Sequence, residues 1–320
     1  MRKLLVLTVI LSLFLLPAFA QQEKSQQAEG FQSYLPEKVA VEVEKAVKAK
    51  SGNGIYEISI FNKADYYGQQ GNVFEVVFFK MSLEEEKPAE EQKKEAVLPG
   101  EMEHHLFLRI YKISDGKVEP AKEYNAPIPS KKEGVKFYTF AYVMPAGKYA
   151  LVIAVTNSDF SKIGTAYYET ELPVFTPKKD EILYSTPIFI KEIKQLLQPE
   201  VHFTVVPNAF YFGQASIYPY PEAVFKATDQ PILFFQLYGI GVDPAKRTCN
   251  AEAEIVVKKG DKKYVKYKKI QLLRPGMYQP LLFKKKDKPF EEGEYVMEIS
   301  IKDKMTGKKI VVKIPFKIVK

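Results

Sequence analysis

The chain has 320 residues, 46% of them hydrophobic and 27% charged, with a formal charge of +8. That composition can bury a proper core and suits about two globular domains. A single cysteine, Cys249, excludes any intramolecular disulfide, and 22 Phe, 20 Tyr and 21 Pro favour strands over long uninterrupted helices.

Residues 1–20 read as an export signal. Arg2 and Lys3 precede an apolar run from Leu4 to Leu16, and Ala18-Phe19-Ala20 supplies small residues for cleavage. The run is short for a bilayer span. Cleavage leaves +6 (8 − 2), no transmembrane segment, and a protein expected in the periplasm or outside the cell, away from cytoplasmic cofactor chemistry. Residues 21–34, rich in Gln, Glu and Ser, read as a flexible lead.

Val39, Val41 and Val43 alternate as in a strand, although Val39, Val43 and Val47 also fall at helical spacing. A strand is favoured here by comparison with a later segment, described below. Strands follow at Ile55–Phe61, Val73–Met81, Leu106–Ile113, Val118–Tyr124, Val135–Val143, Tyr149–Val155 and Ala166–Phe175. The charged run 84–95 reads as a solvated loop or short exposed helix. Asp115-Gly116 is a hairpin turn signal. Further strands are expected at His202–Val206, Ile232–Tyr238, Ala253–Val257, Tyr264–Leu273, Tyr278–Lys284, Tyr295–Ile301 and Lys309–Ile318, with tight turns at Gly260-Asp261 and Thr306-Gly307.

Two landmarks recur at one shift. Ala64-Asp65-Tyr66-Tyr67-Gly68-Gln69 returns as Ala209-Phe210-Tyr211-Phe212-Gly213-Gln214, 145 residues on (209 − 64). Gly147-Lys148-Tyr149 returns as Gly293-Glu294-Tyr295, 146 residues on (293 − 147). This pattern is that of a tandem duplication. The same shift lays residues 39–44 on the alternating segment Ile182–Ile193, which is why a strand is favoured there. Short strands joined by tight turns are antiparallel, and two such sheets must cover each other's apolar faces. The expected fold is all-β: a first β-sandwich over 35–177 and a second over 178–320.

The segments PAGKYALVIAV and EEGEYVMEISI resemble the start of strand F in immunoglobulin-like and fibronectin type III-like sandwiches. There a Gly turn precedes a Tyr whose hydroxyl ties back to the preceding corner. The resemblance implies that role for Tyr149 and Tyr295, after Gly147 and Gly293. Leu151 and Met297 stand where antibody domains carry Cys, and the chain has no Trp. The likeness concerns architecture and lends nothing about activity.

Chemistry is sparsely signalled. His104 and His105 are adjacent, so on a strand they point to opposite faces, and no metal site or cofactor is expected. There is no G-x-S-x-G and no Gly-rich phosphate loop. Cys249 has no neighbouring His and reads as a small residue near a strand start. The Lys-rich runs 258–269 and 284–288, with Lys262, Lys263 and Lys266 around Tyr264, suit an anionic surface better than a nucleic acid in an exported chain.

Tyr66, Tyr67 and Tyr211 could line a sugar or peptide site, but a Tyr-x-Gly segment that persists in both copies, with Gly68 and Gly213 turning the chain, suits a sandwich frame better. Tyr218 and Tyr220, set among Pro219 and Pro221 and present once, are the better interaction candidates. The expectation is therefore an exported, non-catalytic binding or scaffolding protein with a protein or envelope-surface partner. The alternatives are a carbohydrate-binding or carbohydrate-active envelope protein, and an anionic-surface binder.

Overall fold

The computed structural model describes residues 31–68, 71–82, 104–129, 134–198, 202–285 and 288–320. The expected export signal, most of the expected lead and the charged run 84–95 lie outside the described residues. The architecture is nearly all β, in several antiparallel sheets, with one helix among the described residues. No described helix is long and apolar enough to cross a membrane.

That helix, α1 (Glu37–Ala49), lies where a strand was expected. Helical spacing prevails there because Val39, Val43 and Ala46 form one buried stripe. Glu37 in the first turn and Lys48 in the last complement the helix dipole. Lys50, at φ 51, closes the end by donating its amide to the Ala46 and Val47 carbonyls.

In chain order the strands β1 (Glu57–Tyr67), β2 (Asn72–Ser82), β3 (His104–Ser114), β4 (Lys117–Ile128), β5 (Tyr138–Pro145), β6 (Gly147–Asn157) and β7 (Ile163–Leu172) come first. Then come β8 (Leu183–Tyr184), β9 (Ile188–Gln195), β10 (Val206–Pro207), β11 (Phe210–Phe212), β12 (Ala215–Pro219), β13 (Val224–Lys226) and β14 (Ile232–Tyr238). The chain ends with β15 (Val242–Asp243), β16 (Thr248–Cys249), β17 (Ala251–Lys259), β18 (Lys262–Lys266), β19 (Ile270–Leu272), β20 (Gly276–Pro280), β21 (Lys284–Lys285), β22 (Lys288–Pro289), β23 (Gly293–Asp303) and β24 (Lys309–Val319).

The chain folds into two compact units, and they are not consecutive in sequence. Of the described residues, the first holds those up to Lys63, those within Phe74–Pro173 and those within Gln195–Ser216; the second holds those within Ala64–Val73, Val174–Lys194 and Ile217–Lys320. A junction near residue 177 falls close to one of five crossings. The other four, after Lys63, Val73, Lys194 and Ser216, lie inside β1, β2, β9 and β12.

In the first unit one sheet has the order β4-β3-β6-β7 and the other β1-β2-β5-β10. Strand β6 is buried continuously from Tyr149 to Thr156. Its unbroken apolar run suits a strand covered on both faces. Ala150, Val152 and Ala154 join Phe107 and Tyr111 of β3 beneath the stripe of α1. The opposite face looks towards the second sheet, to which Thr170 is tied through Glu75 at 2.8 Å. Asp115 and Gly116, at φ 51 and 76, make the turn from β3 to β4.

In the second unit β9, β14 and β20 pair in that order, with β8 also on β14. They face a sheet ordered β13-β24-β23-β17-β18, with β19 on β17. One apolar core fills the space, from Phe189, Leu233 and Phe235 to Ile255, Met297, Val312 and Phe316. Strands β23 and β24 alternate strictly in burial, one face in the core and one in solvent. Strand β13 runs parallel to β24, whereas β23 pairs antiparallel with both β24 and β17.

Candidate functional site

Residues 64–68 lie in the second unit and residues 209–214 in the first. Tyr66 is fully buried, its ring 6.2 Å from Phe234, and burial pushes its hydroxyl pKa well up. A side chain so enclosed offers no face to a ligand. Tyr67 is half-buried; its amide donates to the Tyr238 hydroxyl at 3.0 Å, and the two rings lie 5.6 Å apart. Tyr211 is half-buried on β11 and borders a small cleft of about 40 Å³ with His202, Thr204 and Phe74.

Gly213 takes φ 58, whereas Gly68 is confined by its neighbour: its amide donates to the Asn72 carbonyl at 2.7 Å, and an added Cβ would meet that oxygen at 3.0 Å. Gln69 lies outside the described residues.

The stretch that carries Tyr218 and Tyr220 is a strand, β12, followed by a turn. Tyr220 packs edge-on against Phe225 at 4.9 Å, its amide donates to the Phe189 carbonyl, and burial raises its pKa. Tyr218 stays half-buried under the Lys194 ammonium, 4.4 Å from the ring centroid. The aromatic-proline pattern therefore serves mainly to seat the second unit's core.

Tyr149 and Tyr295 each donate their hydroxyl to a carbonyl four residues back, Pro145 at 3.0 Å and Glu291 at 2.8 Å. Gly147 and Gly293 precede them at φ 153 and 147, a region that favours glycine. Cys249 is buried and donates to the Leu272 carbonyl, and burial pushes its thiol up to about 11.

The lysines of β17 and β18 divide into paired and unpaired. On the wet face of the sheet Glu254 takes Lys266 at 2.5 Å, Glu298 takes Lys258, and Glu252 takes Lys269 and Lys304. Lys262 and Lys263 are exposed and have no ion-pair partner among the described residues. The second Lys-rich run comes beside them: the Lys285 ammonium sits 4.2 Å over the ring of Tyr264.

Three of the four buried acidic or basic side chains, which the sequence reading passed over, organise the interior. Glu75 of β2 is 0% exposed; Lys63 and Thr170 donate to its Oε2 at 2.9 and 2.8 Å, and Tyr142 donates to Oε1. Arg109 of β3 donates to Glu123 at 2.6 Å, to Glu44 of α1 at 2.8 Å and to Ser33 at 2.7 Å. Tyr34 adds an amide to Glu123, so the expected lead is already tied down at residues 33–34. Asp303 accepts from the amides of Gly241 and Met305 and from the Thr306 hydroxyl. Burial alone would raise its pKa, but these donors together hold it below the ordinary value.

The signal for two of them was present: one charge inside an apolar strand, as in Phe74-Glu75-Val76 and Leu108-Arg109-Ile110, must find partners within the fold, whereas Asp303 stands between Lys302 and Lys304 and carries no such signal. A groove of about 540 Å³ also runs beside α1, floored by Val41, Ile55 and Phe160 and rimmed by Glu37, Lys38 and Glu42. No group of three or more His, Cys, Asp or Glu positioned for a metal ion occurs among the described residues.

No protein-family model and no curated protein sequence matches this chain at a significant level. Among solved structures it is similar to dimeric latent PorU from Porphyromonas gingivalis, over 90% of this chain and 21% of that one. The identity is 9% and the TM-score 0.28, too slight a likeness to carry an argument. The chain spans about a fifth of that protein's length.

Proposed function

We propose that the chain is an exported, non-catalytic binding or scaffolding protein, built on two immunoglobulin-like sandwiches that arose by duplication. The observation that carries the non-catalytic reading is the saturation of three of the four buried acidic or basic side chains. A catalytic acid or base needs a free lone pair or proton facing a reactant. Glu75, Arg109 and Asp303 instead use both carboxylate oxygens, or all three guanidinium nitrogens, on the fold itself. The matched tyrosine hydroxyls, each bonded four residues back, support the immunoglobulin-like and duplicated reading.

The test is reversible cross-linking of the folded chain in an envelope fraction, followed by mass spectrometry and a binding titration. Saturable recovery of a defined partner is the expected result. Turnover of an envelope glycan or peptide by the purified chain alone would overturn the reading.

A second reading, contact with an anionic surface, is favoured by the exposed, unpaired Lys262 and Lys263 on the same strand as Tyr264, whose ring carries the Lys285 ammonium. It predicts salt-sensitive retention on an anionic polysaccharide resin, lost in the K262E/K263E/K285E variant. Equal retention of that variant would remove it.

A further inference from the structure

Each unit contains a segment contributed by the other half of the chain. We infer that residues 31–173 and 174–320 are mutual strand donors, each carrying a built docking surface whose ligand is a segment of the other.

The surface offered by the first half is the edge of β5 with an aromatic floor. Strand β10 pairs with it antiparallel, Val206 opposite Thr139 and Pro207 opposite Tyr138. Thr139 donates its hydroxyl to the Ala209 carbonyl. Asn208, held at φ 54, accepts the Lys136 amide at 2.8 Å and donates to the Gly134 carbonyl at 2.9 Å. Phe210 and Phe212 then lie 6.1 Å from Phe78 and 5.7 Å from Phe74. This is strand addition: backbone bonds supply affinity, and alternate side chains supply specificity.

The surface offered by the second half receives the other copy. Thr186 accepts the Asp65 amide at 2.9 Å and returns its own amide to the Asp65 carbonyl at 3.0 Å. The Tyr238 hydroxyl takes the Tyr67 amide, and Tyr66 is enclosed against Phe234. The ligand chemistry is thus the same in both directions: an extended Ala-x-Tyr-aromatic-Gly stretch that buries one or two rings. The exchange resembles a domain swap completed within one chain. It requires no covalent link between the halves beyond the one peptide segment at 174–182, where Lys178–Asp180 are exposed.

The test uses the full chain with a protease site inserted between Lys179 and Asp180, cleaved after folding. The two halves are expected to co-elute at the mass of the intact protein and to separate only in denaturant. The same cleaved chain carrying Tyr66→Ser and Phe210→Ser should dissociate on dilution, with an apparent dissociation constant raised about a hundredfold or more. Circular dichroism of the uncleaved double variant checks that it still folds. Separation of the wild-type halves on cleavage, or equal retention in the double variant, would overturn the inference.

Discussion

The backbone amide of Tyr67 donates to the side-chain hydroxyl of Tyr238 at 3.0 Å, across 171 residues of sequence. Tyr238 also donates to the Gln236 side-chain oxygen at 3.0 Å, and the Gln236 backbone amide in turn donates to the Ser185 hydroxyl at 2.9 Å. The acceptor that receives β1 is therefore positioned by β14 itself. Tyr238→Phe should expose this link: it removes an acceptor for a half-buried amide, at a cost of about 1–2 kcal/mol. Chemical denaturation of the variant measures the loss, and an unchanged midpoint would mean that the amide finds water instead.

The Lys63–Glu75 pair predicts a non-additive cycle. Glu75→Gln or Lys63→Met alone breaks a pair whose carboxylate is wholly enclosed, and should cost about 3–5 kcal/mol. Combining the two substitutions should cost clearly less than the sum of the single losses. Urea unfolding of the four proteins is the check, and additive penalties would contradict the assignment.

Arg109 fastens α1 to the sheet through Glu44 and fastens Ser33 beside it. Tyr111 reinforces the contact by donating to Glu44 at 3.1 Å, and burial pushes its own pKa up to about 12. Arg109→Met should destabilise the protein by about 3 kcal/mol and raise hydrogen exchange across Glu37–Ala49 before the rest of the first unit. Exchange unchanged in the helix would show that Val39, Val43 and Ala46 hold it alone.

The pH dependence follows from Asp303. Its folded pKa lies below the ordinary 3.8, so its stabilising contribution is present above that value. The contribution is lost as pH falls from about 3.8 through the lower folded value. In Asp303→Asn the acid-induced fall in melting temperature should be shallower in that window, with lower stability at neutral pH. Parallel wild-type and variant curves would contradict the role given to the carboxylate.

Much of the strand pattern is legible in the sequence. Lys309–Val319 alternates without a break and forms an alternately buried strand, and the apolar run of β6 forms a strand buried on both faces. The helix at Glu37–Ala49 is not legible in the same way. Its valines satisfy both periods, and the choice depends on the apolar sheet face of Phe107, Ala150 and Val152 that receives them. The repeated segment is legible as a repeat, but its exchange is not. Local sequence sets its extended form, whereas the half it packs against is decided by distant edges at Thr139 and Thr186. Tyr66 and Tyr220 read as possible contact residues because aromatic faces serve burial and recognition alike, and only their surroundings separate the two.

The most direct test of the exchanged architecture is residue-resolved hydrogen exchange on the native chain. The amides of Asp65 and Tyr67, and those of Val206 and of Asn208 to Phe212, should exchange as slowly as the strands that receive them, β14 and β5. Exchange of both segments at the rate of exposed turns, with β14 and β5 still protected, would contradict it.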